Sequence, residues 1–179
     1  MKKLIFTALM VVTFQAVFAQ TAALKLNNAI IVSHLDKQED RFSLEVALAE
    51  ILASAGIKNT VSLNLIKQGG DPQILLSDSI TNSLSAKGFN TLMLVSIRGY
   101  DKKFKPSQQK FILAEDLAAA NLFPLYKEDI VSVTFEFHFY RNGQLVYTDL
   151  LKIAGASSRD AVLKKLRKKL AKKIAKDWK

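Results

Sequence analysis

Two hydrophobic periods alternate along this chain, and their order sets out a fold. Asn28 to Leu35 is a short β-rich run, and Leu44, Leu48, Ile51, Leu52 and Ala55 then recur at helical spacing up to Gly56. From Thr60 to Lys67 the pattern becomes alternating, with Val61, Leu63 and Leu65 on one face and Ser62, Asn64 and Ile66 on the other, as in a half-buried strand. Gln68, Gly69 and Gly70 mark a turn. Asp71 before Pro72 places a capping carboxylate ahead of a proline at a first helical position. The helix it opens carries Leu76, Ile80 and Leu84 and stops at Lys87 and Gly88. Thr91 to Ile97 is apolar on both faces, the mark of a central strand.

Arg98 to Asp129 is the least regular stretch, with one short helix expected near Leu113 to Asn121; a connection of this length is often functional. Val131 to Tyr140 alternates strictly, with Val131, Val133, Phe135, Phe137 and Phe139 on one face and Ser132, Thr134, Glu136, His138 and Tyr140 on the other. Asn142-Gly143 is a hairpin turn signal, and Leu145 to Ile153 returns antiparallel. Ser157 and Asp160 resemble a capping box for a final helix over 157–178. The order is β-α-β-α-β-β-β-α. It predicts one α/β (α+β) domain with a mixed sheet of about five strands and helices packed on it.

Residues 1–19 fall outside that domain. Lys2 and Lys3 precede an apolar run from Leu4 to Phe18, and Val17-Phe18-Ala19 presents small residues where a signal peptidase cuts. The reading is a Sec-type signal peptide cleaved after Ala19, leaving 20–179 as one domain exported to the periplasm or beyond the cell. A short membrane anchor is the alternative, although the run is shorter than the roughly 20 residues a span requires. No later segment reads as a transmembrane span. With no cysteine in the chain, a disulfide scaffold, a thiolate metal site, a cysteine nucleophile and a lipidated amino terminus are all excluded.

Charge sharpens this picture. The net charge of +10 consists of Lys2 and Lys3 plus a surplus of eight on 159–179, while 20–158 is neutral. On a helical projection Leu163, Leu166, Leu170, Ile174 and Trp178 form a stripe. Lys164, Lys165, Lys168, Lys169, Lys172, Lys173 and Lys176 fill the opposite half. Arg167 falls inside the apolar stripe and must snorkel or find an acid. Three arrangements fit: a docked helix with a solvated lysine face, a docked helix whose lysines meet anionic lipid headgroups or an acidic partner, or an undocked helix lying in a membrane interface.

Two further constellations carry candidate chemistry. A two-residue loop at Asn142-Gly143 sets Glu136 opposite Asp149 and His138 opposite Tyr147. Glu136, His138 and Asp149 would then suit a divalent metal or acid/base site on the hairpin face. A three-residue loop with a glycine bulge would instead shift the register by one and dissolve the pair, leaving a plain solvent or partner-binding face. Tyr100, Lys102, Lys103, Phe104 and Lys105 alternate aromatic and basic groups. Such a loop could bind a polyanion, although export argues against nucleic acid, or its aromatics could pack beneath the connection. His34 lies near Asp36 and reads as a hydrogen-bonded loop residue. Gly69-Gly70 lacks the Lys-Ser or Lys-Thr of a nucleotide loop, and no nucleophile motif occurs, so neither catalytic residues nor a cofactor are assigned.

The element order, the late Asn142-Gly143 hairpin and the terminal amphipathic helix resemble the periplasmic α/β modules of envelope assembly proteins. These are the curli-secretion lipoprotein family, the amino-terminal domain of the Tol translocation protein and the outer-membrane activators of penicillin-binding proteins. The resemblance spans most of residues 28–178. It departs in the missing lipobox cysteine and in the connection from Arg98 to Asp129. It implies a non-catalytic binding or assembly role, with an envelope protein as partner. The competing readings are a metal-dependent hydrolase centred on the hairpin face, and a binder of polyanions or anionic lipid through the terminal lysines.

Overall fold

The structure, a computed structural model, describes residues 24–66, 70–107, 109, 111–119 and 123–179. The predicted signal peptide lies outside the described residues, as do Gln68 and Gly69 of the expected turn and Asn121 at the end of the expected short helix. Five strands, β1 (Asn28–His34), β2 (Lys58–Val61), β3 (Thr91–Tyr100), β4 (Ser132–Arg141) and β5 (Gln144–Ala154), form one sheet in the order β2-β1-β3-β4-β5. β1 runs parallel to β2 and β3, and β4 runs antiparallel to both of its neighbours, β3 and β5. The expected mixed α/β domain is what forms, with the doubly apolar β3 at its centre.

Four helices cover the sheet: α1 (Gln38–Ser54), α2 (Asp78–Ala86), α3 (Leu113–Ala118) and α4 (Arg159–Lys173), the last continued by a π-helical turn over Ile174–Trp178. α1 and α4 bury one face. There Leu44, Leu48 and Leu52 meet Leu163, Leu166 and Leu170 over Ile31, Met93, Phe135 and Phe137. α2 and α3 cover the other face around Ile30, Leu92, Leu94 and Tyr140. α1 ends where Gly56 turns at φ +73°, letting the Ile57 amide reach back to the Leu52 carbonyl at 2.9 Å.

Four local expectations are corrected. β2 stops at Val61 instead of running to Lys67, because the buried Glu45 carboxylate takes the Ser62 hydroxyl (2.6 Å) and the Leu63 amide (3.2 Å) and bends the chain into a 3-10 turn over Ser62–Asn64. Asp71 does cap, accepting from the Gln73 amide at 2.9 Å, but it caps a 3-10 turn over Pro72–Leu76, and α2 begins afresh at Asp78. The cap of α4 is Ser158, not Ser157: its hydroxyl accepts from the Ala161 amide at 3.1 Å. His34, expected in a loop, is the last residue of β1.

Candidate functional site

α4 docks, as its apolar stripe requires. Val162, Leu166, Leu170, Ile174 and Trp178 are fully buried. The docking is fixed by charge at its outer side. Arg159 reaches Asp40 (2.8 Å) and Glu39 (3.4 Å), and Arg167 leaves the stripe to pair with Glu50 at 2.7 Å. The last turn is wound with an i→i+5 bond from the Lys179 amide to the Ile174 carbonyl (3.1 Å). It lodges Trp178 edge-on between Phe137 and Phe139, with ring centroids 5.1 and 4.8 Å away.

The seven lysines do not form one uniform face. Lys165 donates to the carbonyls of Ala154 (2.9 Å) and Gly155, and Lys169 to that of Lys152 (2.9 Å). Lys173 pairs with Asp149 (2.9 Å) and Asp177 (3.4 Å). These three side chains, four residues apart, run along the free edge of β5, where Lys165 and Lys169 satisfy main-chain carbonyls and Lys173 meets the Asp149 carboxylate. Asp149 adds a bond to the Leu150 amide at 2.8 Å. Charged side chains over an edge strand are a known protection against edge-to-edge pairing. Lys164, Lys168, Lys172 and Lys176 are exposed, and among the described residues no acidic partner meets them. They form a row that rises about 18 Å along the axis at 1.5 Å per residue and winds gradually around the helix. No large apolar side chain of α4 is exposed alongside them.

The division of labour has a testable consequence. The double variant Lys165→Ala/Lys169→Ala uncovers the carbonyls of Lys152, Ala154 and Gly155. It is expected to shift sedimentation profiles toward larger species than the wild type gives at equal concentration. Lys164→Ala/Lys168→Ala removes the same charge and leaves the profile unchanged. Equal behaviour of the two variants would sink the edge-cover reading.

The hairpin face departs from its expected geometry. Asn142 (φ +50°) and Gly143 (φ +74°) form the two-residue turn, and Arg141 pairs with Gln144 as counted. One extra residue, Val146, then enters β5 as a bulge. Beyond it Phe139 faces Tyr147, His138 faces Thr148 and Glu136 faces Leu150. Asp149 therefore lies opposite Phe137 on the other side of the sheet, where the Trp178 indole donates to it at 2.7 Å. Asp149 does not meet Glu136 and His138, which remain neighbours, and no group of three or more His, Asp or Glu that could hold a metal occurs among the described residues.

Nor is this face open to solvent. Glu136 and His138 are buried beneath the connection that precedes β4. His138 Nδ1 is 2.5 Å from Asp116 of α3, its Nε2 is 3.5 Å from Glu136, and the Phe111 ring lies over it at 4.5 Å. The Tyr140 hydroxyl donates to the same Asp116 oxygen at 2.5 Å, and Arg98 approaches Glu136 at 3.4 Å. Burial alone would lower the histidine pKa, but the two carboxylates raise it to about 9. Asp116 is lowered: burial pushes it up, and the bonds from His138 and Tyr140 more than offset that. The ring holds its proton through neutral pH, so the cluster ties α3 to the sheet as an imidazolium between two carboxylates. Nothing in the sequence pattern pointed to Asp116 or Phe111, which sit in the irregular connection.

The aromatic–lysine loop divides in the same way. The Tyr100 hydroxyl donates to the Pro124 carbonyl at 2.5 Å, and its ring meets Phe123 edge-on at 5.4 Å. Phe104 is half-buried against Gly99, where a Cβ would come within 2.7 Å of the ring and φ is +153°. The aromatics pack inward. Lys102, Lys103 and Lys105 remain exposed, so no stacking platform alternates with the charges.

No protein-family model matches the chain, and no curated protein matches its sequence. Among solved structures it is similar to the PelC dodecamer from Paraburkholderia phytofirmans, with a TM-score of 0.41 and 14% identity over 82% of this chain and 86% of that one. It is also similar to lipoprotein GNA1162 from Neisseria meningitidis, with a TM-score of 0.43 and 11% identity over 83% and 97%. No helix among the described residues is long and apolar enough to cross a membrane.

Proposed function

We propose that this chain is an exported, non-catalytic binding and assembly module of the bacterial cell envelope, and that it meets an envelope protein through the outer lysine row of α4. The observation that carries the reading is the split among the lysines: Lys165, Lys169 and Lys173 have partners within the fold, whereas Lys164, Lys168, Lys172 and Lys176 are exposed with no acidic partner among the described residues. A row of exposed like charges repels itself and draws an anionic surface. The buried apolar stripe supports contact through the charges, not insertion into a bilayer. The export reading of residues 1–19 supplies the compartment. The element order read from the sequence resembles that of the curli-secretion, Tol and penicillin-binding-protein activator modules, and that resemblance would fit an assembly role. A hydrolase on the hairpin face is not part of this reading, because Glu136 and Asp149 face opposite sides of the sheet.

Crosslinking in the native envelope, with the wild type and the variant carrying Lys164, Lys168, Lys172 and Lys176 all changed to Gln, tests it. The expected result is a specific protein captured by the wild type and lost, or captured at least tenfold less, with the variant. Sedimentation with anionic and neutral vesicles at low and moderate salt separates the lipid reading, since an exposed electrostatic contact weakens as salt rises. Capture unaffected by the four substitutions would overturn the proposal. Salt-sensitive binding to anionic vesicles without protein capture would transfer the row to lipid headgroups.

A further inference from the structure

On the sheet face opposite α4 lies a cavity of about 270 Å³ between α2, the Pro72–Leu76 turn, α3 and the hairpin turn. Its floor is made of buried apolar side chains, Ile30, Leu84, Phe89, Leu92, Leu113 and the ring of Tyr140. Its rim is made of exposed, uncharged polar residues, Thr81, Ser85, Asn90 and Asn142, with the half-exposed Leu76 at its edge. No charged residue is among the described residues that line it. A concave opening with a predominantly apolar floor and a few polar groups at its mouth is the usual form of a small-molecule site. An apolar cavity of about 150 Å³ holds benzene, which sets a scale for the guest this volume could take.

We infer that this cavity binds the medium-length alkyl chain of an amphiphile whose head group is uncharged and hydrogen-bonding. The volume sets the guest. At nearly twice the benzene-holding size, the cavity suits about ten carbon atoms. A single Phe or Leu side chain from a protein partner would leave it partly empty, whereas a flexible chain fills it. The rim sets the head group: hydroxyls and amides satisfy an ester, hydroxyl or amide, and a phosphate or carboxylate would find no cation among the lining residues. The walls are preorganised, because α3, which supplies Leu113, is held by Asp116 to His138 and to the hydroxyl of Tyr140, whose ring forms part of the floor. A pre-formed site avoids the ordering that weakens binding.

This inference does not depend on the lysine row, and its test is separate. Titration calorimetry with 1-decanoyl-glycerol below its critical micelle concentration is expected to show saturable one-to-one binding, at least tenfold tighter than for 1-hexanoyl-glycerol. Leu76→Trp, at the edge of the opening, and Ser85→Trp, on the exposed face of α2, each place an indole in the mouth. Both are expected to weaken decanoyl binding at least tenfold while the far-UV circular dichroism spectrum and melting temperature stay at wild-type values. The fourfold Lys→Gln variant should bind as the wild type does. Absence of saturable binding, equal affinity for the hexanoyl and decanoyl chains, or wild-type binding by either tryptophan variant with native circular dichroism would overturn the inference. Tight binding of a Phe- or Leu-bearing peptide without decanoyl binding would do so too, and would assign the cavity to a protein side chain.

Discussion

Replacing Trp178 by alanine is expected to destabilise the protein by about 4 kcal/mol, the middle of the range for emptying a large aromatic site in a core. The penultimate residue of the chain is fully buried. Its ring fills the space between Phe137 and Phe139, its indole nitrogen donates to Asp149 at 2.7 Å, and its carbonyl accepts from the Leu26 amide at 2.6 Å. Alanine keeps the last of these and loses the other two. The Asp149 carboxylate, buried on the same side, then retains only Lys173 and the Leu150 amide. Truncation adds an unsatisfied charge-bearing atom to a cavity, and both terms act in the same direction. At roughly 2–4 °C per kcal/mol for a domain of this size, the melting temperature should fall by about 10 °C. Urea unfolding followed by far-UV circular dichroism measures the change, since the only tryptophan is the residue removed. Trp178→Phe keeps most of the ring and drops only the donor, and should lose about 1–2 kcal/mol. A loss below 1 kcal/mol in the alanine variant would mean that the end of α4 is not docked.

That helix also shows how far the sequence reaches. Its apolar stripe, the need of Arg167 for an acid, and the segregation of charge are local facts of a 3.6-residue period, and each was legible. What the period could not reveal was which lysines lie over the edge of β5, because that depends on where the helix sits against a strand. The strands behave likewise. Alternation in β4 identified the residues facing the aromatic core, and Asn142-Gly143 identified the turn and its first pair. The bulge at Val146 is a packing solution with no turn residue to announce it, and one extra residue was enough to move Asp149 to the other face.

The connection before β4 was the least legible part for the same reason. Its anchors, Asp116 to His138 and Tyr100 to the Pro124 carbonyl, join groups 22 and 24 residues apart and follow no period. The alternation in β4 placed His138 and Glu136 correctly on one face together. A solvated face was the ordinary reading of such polar residues, and only the position of α3 shows them to be buried.

The burial of His138 between two carboxylates gives stability an unusual dependence on pH. In the folded protein the ring keeps its proton up to about 9, while in the unfolded chain it loses it near 6.5. A group whose folded pKa is raised contributes fully below the unfolded value, and that contribution disappears as pH rises through the folded one. The contribution of His138 is therefore expected to be complete at or below pH 6.5 and to fall by about 3 kcal/mol between pH 6.5 and 9, each pKa unit being worth about 1.4 kcal/mol. Asp116 acts at the other end: its lowered pKa supports the fold at neutral pH, and that support is lost on acidification through its folded value. Urea unfolding at pH 6, 7.5 and 9 reads the slope directly, and His138→Gln should flatten it over this range. The chain's other histidine supplies an internal contrast. His34, on the same side of the sheet, is shifted downward by its burial despite the charges of Asp116 and Asp36. The two histidine signals in a proton NMR titration should therefore part in opposite directions from 6.5. Asp116→Asn removes one of the two carboxylates and should move the His138 midpoint down toward that of His34, with a loss of about 3 kcal/mol at pH 6 for breaking a buried charge pair. If both histidines titrate together near 6.5 in the wild type, His138 is not clamped between its carboxylates, and α3 is not tied to the sheet through it.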